Sequence, residues 1–313
     1  MEFSILIPTY NSAQFIEECL DAIFKLNFPA QDYEVIIIDG GSSDSTLDIV
    51  NKFEDIRVVK STNISIANSR NLGVAESIGD KLVFIDSDCL VNKNLLLKSK
   101  KHLEKYKCCG SFYRAHKNHS WIAKTWLIAE KKEKNIVDWI TSGTLVVSRS
   151  FFLKIGGFNE SLKTEEDEDF GFRVRKNGGQ LFNDFSIASV HLGQADTIAD
   201  FFKKEAWRGK SLIKPVKDIV SMKFSLFDAM ILCYFLNLCV ILFSVICYLE
   251  IFFTLSAIFL LLVPLLLTLR KLKQLHHFKL FVQLYILYIV YLFARCWSLI
   301  KYNQFKQFFG NTV

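Results

Sequence analysis

The first 90 residues alternate short apolar runs with stretches in which apolar residues recur at helical spacing. The apolar runs occupy residues 3–7, 34–38, 57–59 and 81–85. The helical stretches between them occupy residues 12–26, 43–53 and 66–77. Strands that alternate with helices in this way are typical of an α/β fold with a mostly parallel, twisted sheet and flanking helices. Ligands of such sheets bind beyond the carboxyl ends of the strands, so the residues after each run are the first site candidates.

From residue 92 to about residue 214 the pattern is mixed. A strand-like run covers residues 143–147, an acidic helix starts near Glu165, and an amphipathic helix covers residues 196–212. No repeat or low-complexity segment separates this part from the first. We therefore predict a single α/β domain over residues 1–222, which includes the amphipathic helix.

Residues 223–313 differ sharply in composition and predict a membrane domain. Two uncharged segments, 229–249 and 251–269, each approach the roughly 20 residues that cross a bilayer. Only Glu250 separates them, so they predict a tight helical hairpin. A third segment, 280–300, is rich in aromatic residues; it either spans the bilayer or lies in its interface, and we expect it to span.

Basic residues flank the hairpin on both sides. They are Lys203, Lys204, Arg208, Lys210, Lys214, Lys217 and Lys223 before it, and Arg270, Lys271, Lys273 and Lys279 after it. Cytoplasmic loops carry such an excess of Lys and Arg, so both ends of the hairpin are expected on the cytoplasmic side. No charged segment followed by a cleavable apolar stretch precedes the first run, so we expect the α/β domain in the cytoplasm as part of a multi-pass protein of the cell membrane.

The composition agrees with membrane attachment. Hydrophobic residues make up 51% of the 313 residues, and the mean hydropathy is +0.24. The net charge of +6 is modest, and no basic run is interleaved with aromatic residues, which argues against nucleic acid as a partner. The eight cysteines lack zinc-binding spacing, so we expect free, buried thiols.

Asp86 and Asp88 directly follow an apolar run. The strand period of two would place both carboxylates on one side of the strand end. Two carboxylates suit Mg²⁺ or Mn²⁺ when phosphate oxygens of a nucleotide complete the coordination. Such an ion would neutralise a departing diphosphate. Two acids after a strand are also common in a simple solvated turn.

Asp39 ends the second run and precedes Gly40 and Gly41. An Asp at this place either caps the following turn or helix, or recognises the base or ribose of a nucleotide. The first strand turn lacks GxGxxG, and GxxxxGK[ST] does not occur. Dinucleotide-binding enzymes and P-loop kinases or ATPases are therefore disfavoured.

Five consecutive acids, Glu165 to Asp169, open a predicted helix. The helix dipole favours acids there, and Asp169 with Arg173 forms a favourable i, i+4 pair. Five acids exceed what the dipole requires, and their mutual repulsion should raise the pKa of some of them. A general base is tuned towards neutral pH in this way.

Four segments, taken in order, resemble family 2 glycosyltransferases of the GT-A fold. They are SILIPTYN at 4–11, DGGSSDST at 39–46, SRNLG at 69–73 with DSD at 86–88, and GF at 157–158 with EDED at 166–169. The resemblance covers about the first two-thirds of the chain. It implies transfer of a sugar from a nucleotide-sugar with inversion at the anomeric carbon, aided by Mn²⁺ or Mg²⁺.

The resemblance also implies roles for individual residues. Those expected around the nucleotide are Pro8, Thr9, Tyr10, Asp39 and Arg70, with Asp86 and Asp88 holding ribose and metal. Asp167 would deprotonate the acceptor hydroxyl.

Two further residues carry an open alternative. His191 is similar to a histidine that some members place near the metal or diphosphate, but a strand-end histidine with a purely structural role fits equally. Arg208, on the amphipathic helix, would contact the diphosphate or an acceptor phosphate, or else lipid headgroups.

The QxxRW signature of processive synthases is missing, and few spans are predicted, so we expect single-sugar transfer. The leading hypothesis is a hexosyltransferase that uses a UDP-sugar and a membrane-associated acceptor, such as a lipid-linked saccharide in cell-envelope or exopolysaccharide synthesis. One alternative is a polyprenyl-phosphate glycosyltransferase, whose acceptor is the lipid phosphate itself. Another is a non-catalytic membrane scaffold that binds a nucleotide-sugar.

Overall fold

A computed structural model describes residues 1–61, 65–128, 135–211, 226–272 and 278–302. The chain forms two compact units. The first unit comprises Met1–Lys117 and Glu130–Gln194, and the second comprises Asn118–Ala129 and Ala195–Val313. The predicted domain boundary between residues 222 and 223 lies outside the described residues.

The first unit contains a mixed eight-stranded sheet and a small three-stranded sheet. The strands are β1 Phe3–Thr9, β2 Tyr33–Asp39, β3 Ile56–Lys60, β4 Lys81–Ile85, β5 Cys89–Leu90, β6 Cys108–Gly110, β7 Arg114–Ala115, β8 Asn135–Val137, β9 Thr144–Ser148, β10 Leu181–Asn183 and β11 Val190–His191. The large sheet has the order β3-β2-β1-β4-β9-β6-β10-β8, and the small one has the order β5-β11-β7. Strands β3, β2, β1 and β4 are parallel as predicted, whereas β9 and β8 run antiparallel to their neighbours.

The described residues contain these α-helices. They are α1 Ile16–Ile23, α2 Thr46–Val50, α3 Ile66–Glu76, α4 Leu95–Leu103, α5 Trp121–Ile128, α6 Arg149–Lys154, α7 Glu166–Lys176, α8 Ile198–Arg208, α9 Leu226–Ile246, α10 Glu250–Lys271 and α11 Phe278–Lys301. Helices α5 and α8 to α11 belong to the second unit. The first two helices are shorter than predicted, and the amphipathic helix ends at Arg208.

Strand β1 is buried along its whole length because both of its faces are covered. Phe3, Ile5 and Ile7 lie in a hydrophobic cluster with the apolar side of α1. Leu6, on the opposite face, lies in a second cluster with residues of α3. This arrangement explains why the strand sequence is continuously apolar, as is usual for central parallel strands.

The sheet register brings the carboxyl ends of β1, β2 and β4 to one edge. Thr9 of β1 lies opposite Asp39 of β2. Strand β4 ends at Ile85, so Asp86 and Asp88 lie in the turn that follows and not in the strand. The predicted cause, strand periodicity, is therefore wrong. The conformation of the turn determines where the two carboxylates lie.

Within its described residues, the second unit contains three helices that are long and apolar enough to cross a membrane. Their apolar segments are Ala229–Ile246, Glu250–Lys271 and Phe278–Lys301, with 18, 22 and 24 residues. The first two correspond to the predicted hairpin, and the third contains the predicted segment 280–300.

Pro264 interrupts the hydrogen-bond ladder of α10, and the neighbouring helices compensate. Proline has no N–H for the carbonyl four residues earlier, which is that of Leu260. The Tyr234 hydroxyl of α9 donates to the Leu260 carbonyl at 3.3 Å. The Tyr285 hydroxyl of α11 donates to the next carbonyl, that of Leu261, at 3.2 Å. Two tyrosines thus tie the three apolar helices together at one level.

Replacing Tyr234 by Phe should leave the Leu260 carbonyl without this donor in an apolar environment. We expect the free energy of unfolding in detergent micelles to fall by about 0.6 kcal/mol, and by no more than about 1.7 kcal/mol. In a Pro264→Ala background, the backbone N–H of residue 264 donates a hydrogen bond to the Leu260 carbonyl. Tyr234→Phe should then lower the free energy of unfolding by less. A double-mutant cycle measures the difference, and equal losses in both backgrounds would contradict this account.

Candidate functional site

Asp39 stabilises the turn that follows β2. Its carboxylate accepts hydrogen bonds from the backbone N–H groups of Gly41, at 3.0 Å, and Ser42, at 3.1 Å. The Asn11 side chain, after β1, accepts from the backbone N–H of Ser43 at 2.8 Å. Asp39 therefore stabilises a turn before α2 and does not cap that helix, whose N-cap residue is Ser45. Contact of Asp39 with a nucleotide stays a prediction.

The other residues predicted around the nucleotide lie at the end of β1. Pro8 and Thr9 are buried within the strand, whereas Tyr10 follows it and is 54% exposed. Because β1 and β2 end side by side, Tyr10 and Asp39 belong to the same edge of the sheet. Only Tyr10 among these residues presents a large accessible surface, which is the feature that stacking on a base requires.

Arg70 of α3 is a buried cation that joins two acids far apart in sequence. The residue is 2% exposed. One terminal nitrogen of its guanidinium donates to Asp86 Oδ1 at 2.8 Å, and the other donates to Glu166 Oε1 at 2.6 Å. Its guanidinium also lies 5.5 Å from the centre of the Phe158 ring. Arg70 thereby links the Asp-Ser-Asp turn to the start of the acidic helix α7.

The environment of Asp86 favours its ionised form. Burial alone would raise the pKa of Asp86, but the charge of Arg70, a hydrogen bond from Tyr113 and the charge of His191 hold that pKa below its ordinary value. The Tyr113 hydroxyl donates to Asp86 Oδ2 at 2.6 Å. Both carboxylate oxygens of Asp86 therefore already accept a hydrogen bond from the protein.

Asp86, Asp88, Cys89 and His191 form a group that has the donors for a metal ion. One donor atom from each lies within 4.8 Å of the others. His191 reaches the group because β11 pairs with β5, and its Nε2 lies 3.5 Å from Asp88 Oδ1. The three residues predicted for the metal are thus brought together.

The chemistry of this donor set fits a hard divalent cation. Burial, with the nearby charges of Asp86 and Asp88, raises the pKa of the Cys89 thiol well above its ordinary value. A thiol that keeps its proton is a poor ligand, since the thiolate is the form that binds metals. The remaining donors are two carboxylates and an imidazole, which suit Mn²⁺, and Mg²⁺ by way of the carboxylates.

Sequence reasoning missed three residues that shape this group. The Tyr113 ring lies edge-on to the His191 ring, with 4.5 Å between centroids. A side chain at Gly143 would overlap the Asp86 carboxylate, and one at Gly193 would overlap the Asp88 carboxylate. Gly143 is the first residue of the predicted run 143–147 and Gly193 lies two residues after β11, so their positions were a usable signal. Tyr113 offered none, because its partners are remote in sequence.

The acidic helix α7 contains acids in different environments. Asp169 pairs with Arg173 at 2.7 Å, which confirms the predicted i, i+4 pair. Glu166 pairs with Arg70. Burial and the charges of Glu166 and Glu168 raise the pKa of Asp167 well above its ordinary value, although Arg70 opposes the shift. The predicted rise in pKa within the acidic cluster is therefore confirmed for the residue assigned as base.

Asn71, next to Arg70 on α3, fixes the loop that leads to α7. Its side-chain amide donates to the Phe158 carbonyl at 2.9 Å and accepts from the Phe158 N–H at 2.9 Å. It also donates to Glu160 at 2.8 Å. Helix α3 thus binds the loop that precedes α7 through Asn71 and the first turn of α7 through Arg70. The sequence contained Asn71 within a motif, but its partner was not predictable.

Arg208 belongs to the second unit, where it forms an ion pair with Glu205 of the same helix. Arg295 of α11 also pairs with Glu205, at 3.2 Å. Contact of Arg208 with a diphosphate or an acceptor phosphate stays a prediction.

Asp167→Asn should raise the Tm at about pH 8, because the ionised carboxylate costs stability there. Because the pKa of Asp167 is higher in the folded than in the unfolded state, the loss of stability develops as the pH rises above the ordinary Asp pKa. At about pH 4 the Tm difference between the variant and wild type should therefore shrink. The matched control Asp169→Asn should lower the Tm at about pH 8, since it breaks the ion pair with Arg173. Thermal unfolding in detergent measures both, and equal losses for the two variants would contradict the assignment.

Comparison with known proteins finds a family model that matches part of this chain. Residues 4–156 match the family model described as Glycosyl transferase family 2. This segment includes Arg70, Asp86 and Asp88 but ends before α7 and β11. The family match therefore does not include Asp167 and His191, which are assigned to the site from the geometry above.

Two curated relatives differ in how much of the chain they match. The poly(ribitol-phosphate) beta-N-acetylglucosaminyltransferase TarS of Staphylococcus aureus is 35% identical over 101 residues, which are 31% of this chain and 18% of TarS. The chain therefore matches less than a fifth of the length of TarS. A Methanococcus voltae protein is 26% identical over 231 residues, which cover 64% of this chain and 70% of that protein. It is named a dolichyl N-acetyl-alpha-D-glucosaminyl phosphate 3-beta-D-2,3-diacetamido-2,3-dideoxy-beta-D-glucuronosyltransferase.

One solved structure covers nearly the whole chain. It is the mannosyltransferase PcManGT from Pyrobaculum calidifontis in complex with GDP-Man and Mn²⁺, with a TM-score of 0.62 and 17% identity over 96% of this chain and 87% of that one. At this identity the likeness shows the fold, which is the GT-A arrangement expected from the motifs. Residues 4–156 thus match family 2 of the glycosyltransferases, and the chain has a GT-A fold.

Proposed function

We propose that this protein transfers a single hexosyl group from a nucleotide-sugar, a UDP-sugar, to a hydroxyl of a membrane-associated acceptor, with inversion and with the help of a divalent metal. The observation that carries the proposal is the pair of ion pairs made by Arg70, to Asp86 and to Glu166. They gather the acids of a metal-binding turn and those of a helix that contains a carboxylate of raised pKa.

The donor is proposed to bind at the edge where β1, β2 and β4 end. Pro8, Thr9, Tyr10 and Asp39 line this edge, and the exposed Tyr10 ring offers a surface for the base. Support for a nucleotide-sugar comes from PcManGT, which has the same fold and is described with GDP-Man. UDP as the nucleotide follows from the motif resemblance and is the first donor to test.

Asp88 and His191 are the proposed metal ligands, together with an oxygen of Asp86. Both carboxylate oxygens of Asp86 already accept hydrogen bonds, from Arg70 and Tyr113. We therefore propose that Asp86 mainly orients the ribose. A bound Mn²⁺ or Mg²⁺ would supply Lewis-acid stabilisation of the departing diphosphate. Arg70 itself was expected at the nucleotide, but its burial and its two carboxylate partners favour a positioning role.

Asp167 is the proposed general base. It takes the proton of the acceptor hydroxyl as that oxygen forms a bond to the anomeric carbon and the bond to the diphosphate breaks. Attack from the face opposite the leaving group inverts the configuration. Its raised pKa makes the carboxylate a stronger base than an ordinary aspartate.

A membrane-associated acceptor is proposed because the chain contains apolar helices of membrane-spanning length. The Methanococcus voltae relative is named for a dolichyl sugar phosphate, which is a lipid-linked saccharide. We place the first unit on the cytoplasmic side of the cell membrane, following the basic residues that flank the hairpin.

Release of the nucleoside diphosphate from UDP-, GDP- and TDP-sugars in the presence of Mn²⁺ tests the proposal. Asp167→Asn should lower turnover by about 10²- to 10⁴-fold, because it removes the general base. Asp88→Asn should weaken the response to Mn²⁺ and lower turnover by about 10- to 100-fold. The control Asp21→Asn, on the exposed side of α1, should leave turnover unchanged.

Wild-type turnover in both Asp88→Asn and Asp167→Asn would overturn these assignments. Activity with polyprenyl phosphate that survives Asp167→Asn would instead identify the lipid phosphate as acceptor, since a phosphate requires no strong base.

A further inference from the structure

The two halves of the α9–α10 hairpin differ in exposure. We call the part near Leu226 and Lys271 the base and the part around residues 246–250 the tip. At the base, Ile231, Tyr234 and Val263 are buried. At and near the tip, large apolar side chains are exposed: Leu242, Phe243, Val245, Ile246, Ile251 and Phe252. Other parts of the second unit therefore bury several side chains in the half near the base, although Leu266 and Leu269 stay exposed there.

Three contacts define the course of α11 across the hairpin. Tyr285, in its first half, bonds the Leu261 carbonyl at 3.2 Å. In its second half, the Phe293 ring lies 6.0 Å from the Tyr234 ring. The Cys296 thiol lies 3.9 Å from the Ile231 carbonyl. Tyr234 itself bonds the carbonyl of Leu260, so all three contacts fall at nearly the same level of the hairpin.

This course differs from that of a helix that runs through the bilayer beside the hairpin. Helix α10 ends at the base, and α11 begins only a few residues later. From Phe278 to Cys296 the chain rises by roughly 27 Å in an α-helix. A helix parallel to the hairpin would by then lie beside the tip, whereas Cys296 still contacts Ile231 at the base. Helix α11 therefore crosses the hairpin at the level of Ile231, Tyr234 and Leu261 and does not run parallel to it.

The side of α11 away from lipid is covered by two short helices. Thr125 of α5 bonds Gln283 at 3.1 Å, and Trp126 of α5 stacks on Tyr291, with 5.5 Å between centroids. Farther along α11, Arg295 pairs with Glu205 of α8. The two polar residues in the apolar length of α11, Gln283 and Arg295, thus both bind these covering helices.

Helix α8 cannot lie in hydrocarbon. The side chain of Lys203 is 78% exposed and that of Asp200 is 50% exposed. Each charge at the centre of a bilayer costs about 2.5–3.5 kcal/mol. Because α8 packs against the second half of α11, α11 must lie at a depth where the outer side of α8 is in water.

The exposed side of α11 is a continuous apolar stripe. Its members recur at intervals of mostly three and four residues, which places them on one helix face: Phe278, Val282, Ile286, Phe293, Trp297 and Ile300. The opposite side of α11 packs in a hydrophobic cluster and makes polar contacts through Gln283 and Arg295. Tryptophan near a helix end is typical of the membrane–water boundary.

We propose that α11 does not cross the membrane but lies in the plane of its interface. The apolar stripe faces the acyl chains of the leaflet on the side of the hairpin base, and α5 and α8 cover the opposite side. The partner of this surface is the lipid bilayer, and the hairpin α9–α10 crosses it as two spans. This replaces the third span expected from the sequence, and it holds whatever sugar and acceptor the enzyme uses.

The positions of the two ends of α11 provide the first test. In a background with Cys233, Cys239 and Cys247 replaced by alanine, single cysteines are placed at the exposed Lys279, at Lys301, at the hairpin tip Tyr248, and at the exposed Lys154 of the first unit. A membrane-impermeant maleimide is then applied to right-side-out and inside-out vesicles. Lys301→Cys and Lys279→Cys should react from the same side as Lys154→Cys, and Tyr248→Cys from the other side. Reaction of Lys301→Cys from the side of Tyr248→Cys would overturn the proposal.

The depth of the stripe provides an independent test. Spin labels at Val282, Ile286, Phe293 and Trp297 are compared by oxygen and nickel accessibility in vesicles of phosphatidylcholine and phosphatidylglycerol. The proposal predicts one shallow depth for all four, and a greater depth for the control label at the exposed Leu236, near the middle of the span Ala229–Ile246. A maximum of depth at Ile286, matching that of Leu236, would show that α11 spans the bilayer.

Discussion

The buried guanidinium of Arg70 is the interaction on which the arrangement of the site depends. Asp86 and Glu166 lie close together only because one cation neutralises both of them. A buried carboxylate without a partner is strongly destabilising, so each acid requires this cation as much as the cation requires them. The two terminal nitrogens of a planar guanidinium serve two carboxylates at once, which an ammonium group would do less well. Asn71 adds to the same effect by holding the loop before α7 against α3.

Local patterns in the sequence predicted the strands and the ion pair that depend only on residues close together in the chain. The parallel strands β1 to β4 follow from continuous apolar runs, and the Asp169–Arg173 pair follows from helical spacing. The motif resemblance named Asp86, Asp88 and His191, and the structure places donor atoms of these residues within 4.8 Å of one another. It gave no indication that Arg70 is buried, because burial depends on the packing of α3 against the sheet.

Other features depend on contacts between remote segments, and the sequence did not reveal them. Tyr113 becomes a partner of Asp86 only through the pairing of β7 with β11, which brings its loop beside His191. The turn after β4, and not strand periodicity, aligns the two aspartates. The tight contacts at Gly143 and Gly193 likewise appear only once the carboxylates are placed.

The same limit applies to the membrane part of the chain. Hydropathy and length identify a helix that is able to span a bilayer, but not its direction. The direction of α11 is set by Tyr285, Phe293 and Cys296, which contact the base of the hairpin, and by its polar residues, which bind α5 and α8. A helix of spanning length is thereby held across the hairpin and not along it.

Donor affinity and turnover of Arg70→Lys test the central claim most directly. If Arg70 positions the acids without touching the donor, the variant should bind the nucleotide-sugar within about twofold of wild type. Its kcat should fall by about 100-fold, since a displacement of about 1 Å among reacting groups has an effect of this size. A large loss of donor affinity with unchanged kcat would contradict the account, because it would show that Arg70 contacts the nucleotide.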